Sequence, residues 1–195
     1  MTTIARIGNS PIFVFIIAFI FLGWGIGDYL LIDLDEPRYP LAAREMIEHG
    51  QYWVPMTNGK FLYEKPILIY WAIIAAFKTF GVTEFAARLP SVIAGALTVT
   101  VAYVFGRFYQ VGITTAVILL TSAEFFLLAR LSIADMLLYF FMISTISLYF
   151  LIHQGLIDKR YSYLMALMEA LSFLTKGPLA ICVPGLVIIS YSICE

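Results

Sequence analysis

Five stretches of this 195-residue chain carry no charged side chain: residues 7–27, 89–106, 108–123, 136–157 and 177–194. No other feature limits the fold as much. A bilayer core is crossed by roughly 20 apolar residues of helix, and backbone groups in lipid must be satisfied internally. The stretches predict transmembrane helices near 11–30, 88–107, 111–130, 134–153 and 177–194. A sixth, weaker candidate at 161–175 is interrupted by Glu169. Barrel strands of about 10 residues with alternating polarity are not seen. The composition agrees: 62% of residues are hydrophobic and 13% charged, too few charges to cover a soluble domain. A disordered segment is excluded by the same arithmetic. A net charge of −1 excludes a basic nucleic-acid binder. The expected fold class is an all-α polytopic membrane helix bundle of about six transmembrane helices, in a single domain.

The N-terminal run follows one charge, Arg6, and is too long for a cleaved signal; it reads as a first transmembrane helix. Cys182 and Cys194 read as small buried hydrophobes. The run Ile67–Phe77 is apolar but short and flanked by Lys65 and Lys78, which predicts a helix lying on the membrane surface. The basic loop Asp158-Lys159-Arg160 then falls on the side of the N-terminus, which fits the cytoplasmic face. Residues 31–87 become one long external loop. Within it, 41–49 has apolar residues at helical spacing, Gly50 suits a helix stop, and Asn58-Gly59 is a turn signal.

Of the 25 charges, 11 fall between Asp28 and Lys65. Asp33, Asp35, Glu36 and Arg38 sit just past the first span. Carboxylates held there can act as general bases or merely cap the next helix. Lys65, before Pro66, falls near a predicted helix N-terminus, where the dipole disfavours a cation. It invites an anionic partner: Glu64, Asp35 or a ligand phosphate; the alternative is an interfacial anchor. Arg130 and Asp135 bracket a short external turn, as an ion pair, as snorkelling ends or as part of a site. Lys176 and Arg88 reach the same face. Glu124 and Glu169 lie in apolar segments, where an acid suggests function. His49 and His153 have no metal-ligand spacing. No P-loop, G-x-G-x-x-G, H-E-x-x-H or G-x-S-x-G motif is present.

One ordered set of motifs runs through the chain: Asp35-Glu36-Pro37-Arg38-Tyr39, Ala43-Arg44-Glu45-Met46, Asn58-Gly59-Lys60, Tyr63-Glu64-Lys65-Pro66, Arg88-Leu89-Pro90-Ser91, Ala134-Asp135 and Leu174-Thr175-Lys176-Gly177-Pro178. The set resembles the membrane glycosyltransferases of the dolichyl-phosphate-mannose protein mannosyltransferase superfamily, in particular the branch of bacterial lipid A aminoarabinose transferases. Pro40 departs from the small residue usual there. The resemblance implies a GT-C-like bundle with juxtamembrane helices in the first external loop. It also implies a polyprenyl-phosphate sugar donor and a lipid, glycan or protein acceptor at the external face of a bacterial inner membrane. By the same resemblance, Asp35 and Asp135 are the catalytic acids, with Asp35 the general base of an inverting transfer. Lys65, Lys176 and Arg88 meet the donor phosphate, and Glu36, Glu64 and Arg130 orient the other groups. Asp135 and Glu64 are also candidates to hold a divalent metal ion. Such proteins have about twice as many membrane helices, so the chain is expected to be the N-terminal part of a longer protein, paired with a C-terminal half. The alternatives are a small transporter using Glu124 and Glu169, or a non-catalytic membrane module pairing with another chain.

Overall fold

The computed structural model describes residues 10–32, 36–63 and 65–194. Helix α1 (Pro11–Gly23) opens on a proline, whose missing N–H is no loss in a first turn. It ends well short of residue 30. Glycines at 23, 25 and 27 break the run, and Gly25 has φ +69°, so the chain turns rather than continuing as one long span.

Helix α2 (Arg38–Glu48) buries Tyr39, Ala42, Ala43 and Met46 on one face. It starts three residues before the predicted 41–49 helix, with Pro40 inside the first turn, where proline is tolerated. Gly50, at φ +64°, follows its end. A small antiparallel hairpin comes next: β1 (Met56–Thr57) pairs with β2 (Lys60–Phe61), Met56 opposite Phe61 and Thr57 opposite Lys60. Asn58 and Gly59 have φ of 54° and 71°, the positive pair that a two-residue hairpin turn requires. Helix α3 (Leu68–Phe80) corresponds to the predicted 67–77 helix and buries Ile69, Tyr70, Ile73, Ile74 and Phe77.

Helix α4 (Glu84–Phe108) is the central element, 25 residues long, packed against α1 and α3. The Thr83 hydroxyl accepts from the Ala86 N–H and so caps its start. Helices α5 (Gly112–Thr121) and α6 (Ala123–Ala129) follow. They occupy the single span predicted at 111–130, but are bent by 73°. Ser122 causes the break: its ψ of 119° ends one helix and begins the other, and serine favours caps over helix interiors. Helix α7 (Asp135–His153) packs along α4, and α8 (Ser162–Lys176) along α7. A 3-10 turn at Lys159–Tyr161 precedes α8, and Gly177, at φ +67°, links it to α9 (Leu179–Cys194).

By length and composition, α4 and α7 can cross a bilayer, and the bent α5–α6 pair would make a third span. Helices α1, α3 and α9 are apolar but only 13, 13 and 16 residues long. The membrane helix bundle thus combines long and short apolar helices. Cys182 and Cys194 are exposed, not buried: α9 is the last helix of the bundle and packs mainly against α7 and α8 among the described residues. The core centres on Leu22, Ile26, Ile69, Ile73, Val92, Val99 and Met136, where α1, α3, α4 and α7 meet.

Candidate functional site

The loop after α1, the start of α4 and the loop before α7 meet at one buried ion pair. Arg88 and Glu36 are both inaccessible to solvent. Arg88 Nε donates to Glu36 Oε1 at 2.7 Å and Nη2 to Oε2 at 3.2 Å. The same guanidinium donates to three carbonyls of the loop: Ile26 and Tyr29 from Nη1 at 2.6 and 2.8 Å, and Leu30 from Nη2 at 2.9 Å. The Tyr29 ring stacks on it at 3.9 Å. Glu36 also accepts the backbone N–H groups of Ile32 and Ser132. The Ser132 hydroxyl donates to Ala87 O, and the Ser91 hydroxyl to Ile133 O. A charged pair tolerates burial only when its remaining donors and acceptors are met in this way. Arg88 therefore does not line up with the lysines as a phosphate ligand. Its hydrogen bonds go to the fold, and its place is that of a strut.

A second pair joins the ends of α7 and α8. Asp135 opens α7 and Lys176 closes α8, and Lys176 Nζ donates to Asp135 Oδ1 at 2.5 Å. Each charge also suits its helix end, acid at the N-terminus and base at the C-terminus. Both are about a quarter exposed, so the pair remains reachable from outside. Arg130 does not pair with Asp135. It turns back to α1, donating from Nη1 to Leu22 O at 3.0 Å.

Lys65 is exposed, three residues before α3, and no partner for it lies among the described residues. The expected roles of Asp35 and Glu64 fall outside the described residues, as does Asp33. Among the described residues, no group of three or more His, Cys, Asp or Glu side chains could hold a metal ion. The two acids of the transporter reading sit apart: Glu124 is exposed in the first turn of α6, and Glu169 is half-buried on α8.

Two features escaped the sequence reading. One is the role of Ser132, whose N–H ties the α7 loop to Glu36. The other is Glu45. Its two carboxylate oxygens accept the N–H groups of Asn58 and Gly59 at 2.8 and 3.1 Å, latching the hairpin onto α2. These bonds hold its carboxyl below the usual carboxylate range. The signal was the acid one residue before the helix's last buried apolar contact, Met46, and 13 residues before an Asn-Gly turn.

Residues 64–195 match the sequence profile of the dolichyl-phosphate-mannose-protein mannosyltransferases. The chain belongs to this mannosyltransferase family. Among its relatives is undecaprenyl phosphate-alpha-4-amino-4-deoxy-L-arabinose arabinosyl transferase 1 of Sodalis glossinidius, 30% identical over 82% of this chain and 30% of that protein. The corresponding transferase of Pseudomonas aeruginosa is 31% identical over 80% of this chain and 30% of that protein. The crystal structure of ArnT from Cupriavidus metallidurans bound to undecaprenyl phosphate superposes on 94% of this chain with a TM-score of 0.85 at 23% identity. Its apo form superposes with a TM-score of 0.77. This family member is therefore an all-α membrane helix bundle of the GT-C kind, and an integral membrane protein. It spans about a third of the length of the relatives it matches.

Proposed function

We propose that this chain forms the part of a membrane glycosyltransferase that binds a polyprenyl-phosphate sugar and carries the base. The reaction is transfer of the sugar to a hydroxyl or phosphate acceptor on lipid A, a glycan or a protein. It takes place on the external face of a bacterial inner membrane, with the N-terminus cytoplasmic and a C-terminal half completing the site. The observation that carries this reading is the double use of Glu36. Its Oε1 accepts from Arg88 and from the Ser132 N–H, so one carboxylate fixes the segment next to Asp35 and the loop that leads into Asp135.

In this reading Asp35 removes the proton from the acceptor oxygen. That oxygen attacks the anomeric carbon and the configuration inverts. The bond to the phosphate oxygen breaks, and the electron pair leaves with polyprenyl phosphate. Lys176 meets the growing charge. Asp135 occupies one N–H of its ammonium and leaves two for phosphate oxygens. Lys65 approaches from the first external loop. A well-placed donor of this kind is worth roughly 3 kcal/mol in the transition state. Glu64 and Arg130 orient neighbouring groups, and Arg88 and Glu36 hold the frame.

The test is transfer from a polyprenyl-phosphate sugar by the full protein in membranes. Asp35→Asn is expected to lower the rate at least ~100-fold with membrane insertion unchanged. Full activity in that variant overturns the base assignment, and no transfer by the unaltered protein overturns the reading as a whole.

A further inference from the structure

A groove runs along the outside of the bundle between α1 and α6. Ile17, Ile20, Phe21, Trp24 and Phe126 line it, and Arg130 stands at its end. Phe21 and Phe126 touch across it, with ring centroids 5.4 Å apart. Trp24 is 79% exposed, just past the end of α1, as tryptophans at a membrane–water boundary are. The groove belongs to α1 and α6, whereas the Lys176–Asp135 pair belongs to α7 and α8.

Arg130, at the polar end of the groove, has an acid for a neighbour and makes no ion pair with it among the described residues. Arg130 is held in place by Leu22 O and by the rings of Phe126 and Tyr29, whose centroids lie 5.1 and 6.0 Å from its guanidinium carbon. One of its five N–H donors is spent among the described residues. Asp28 lies beside it. Its Oδ2 is 3.1 Å, and Arg130 Nη2 is 4.0 Å, from the point where a Cβ would sit on Gly25. Glycine at 25 keeps that point clear, and no ion pair joins the two among the described residues.

We infer that this groove seats a phospholipid with a zwitterionic, primary-amine headgroup, a phosphatidylethanolamine, its phosphate on Arg130, its ammonium on Asp28 and its acyl chains along α1 and α6. The charge pattern selects this occupant. A purely anionic headgroup would meet Arg130 but be repelled by Asp28. A choline headgroup carries the positive charge but has no N–H to donate to the carboxylate. An apolar trough below a cation–anion pair complements a lipid that carries the same pair in reverse.

The experiment reads Trp24 fluorescence in a Trp53→Phe, Trp71→Phe background, in phosphatidylcholine vesicles doped with dibrominated lipids. Brominated phosphatidylethanolamine should quench Trp24 at a roughly fivefold lower mole fraction than brominated phosphatidylcholine, the ratio expected of one exposed ion pair. Arg130→Gln should weaken quenching by the amine lipid, and Asp28→Asn should remove its advantage over brominated phosphatidylglycerol. Equal quenching by all three lipids, or strongest quenching by phosphatidylglycerol in the unaltered site, overturns the proposal. Native mass spectrometry of the protein with all three tryptophans gives a second reading. Phosphatidylethanolamine retained over phosphatidylglycerol, and lost in Asp28→Asn, supports the site; no such preference overturns it.

Discussion

Replacing Arg88 with methionine removes the centre of the strut and leaves its shape. Removing one partner of a buried pair costs about 3–5 kcal/mol, because the other charge stays buried. Two opposing corrections apply here. Glu36 keeps the N–H groups of Ile32 and Ser132, which lessens the penalty on the orphaned carboxylate. The carbonyls of Ile26, Tyr29 and Leu30 lose their donor, at about 1 kcal/mol each where water cannot replace it. The expected loss is therefore near the middle of the range, about 4 kcal/mol. Arg88→Lys keeps the charge, but one ammonium has three N–H groups and cannot reproduce the five bonds of the planar guanidinium. We expect it to recover about half of the loss. The double variant Arg88→Met, Glu36→Gln should lose less than the two single losses combined, by at least about 2 kcal/mol. Reversible unfolding in mixed micelles, followed by far-UV circular dichroism, measures the parent, Arg88→Met, Arg88→Lys, Glu36→Gln and the double variant. A loss below about 1 kcal/mol for Arg88→Met, or additivity within about 0.5 kcal/mol, would refute the reasoning.

Three further outcomes are expected. Glu45 has a lowered pKa in the folded protein, so its latch is fully formed above the ordinary carboxylate range and is lost as pH falls through the lowered value. Amide exchange at Asn58 and Gly59 should stay slow into mildly acidic solution and then rise, whereas Glu45→Gln should exchange quickly throughout. Gly112→Ala would place a Cβ 2.8 Å from the Tyr103 carbonyl oxygen and should destabilise by about 1–3 kcal/mol. Gly185→Ala meets nothing within 4 Å and should be neutral or slightly stabilising in the same melt. Asp135→Asn and Lys176→Met should both lower sugar transfer, Lys176→Met by more, at roughly 100-fold; a Lys176→Met enzyme as active as the parent removes that lysine from the phosphate site.

Much of this architecture is legible from local chemistry. The charge-free runs mark α4 and α7, the Asn58-Gly59 pair marks the hairpin turn, and the helical spacing of apolar residues in 41–49 marks most of α2. Hydropathy is blind to what a single ψ angle does. It sees residues 111–130 as one run, although Ser122 bends the chain by 73° there. It also counts residues 24–30 as span, although three glycines in 23–27 turn the chain out of helix. The site was partly legible because charges are scarce: a lysine and an aspartate at neighbouring helix ends have few other partners. Arg88 was visible as a charge among apolar residues, but its partner is 52 positions away, and pairing at that distance follows from packing rather than pattern. The same limit applies to Arg130, which sequence proximity joins to Asp135 and the fold joins to Leu22.

The six residues from Arg130 to Asp135 answer to four neighbours at once: Leu22 through Arg130, Glu36 and Ala87 through Ser132, and Lys176 through Asp135. Their number is thereby locked. One residue inserted between Ser132 and Asp135 would either pull the Ser132 N–H off Glu36 or turn Asp135 by about 100° around the axis of α7, away from Lys176. Among the described residues, the Asn58-Gly59 tip has no such tie beyond Glu45. Descendants of this chain should therefore lengthen freely at the hairpin and hardly at all before α7, and loop length there becomes a mark of whether the strut and the lysine still share one frame.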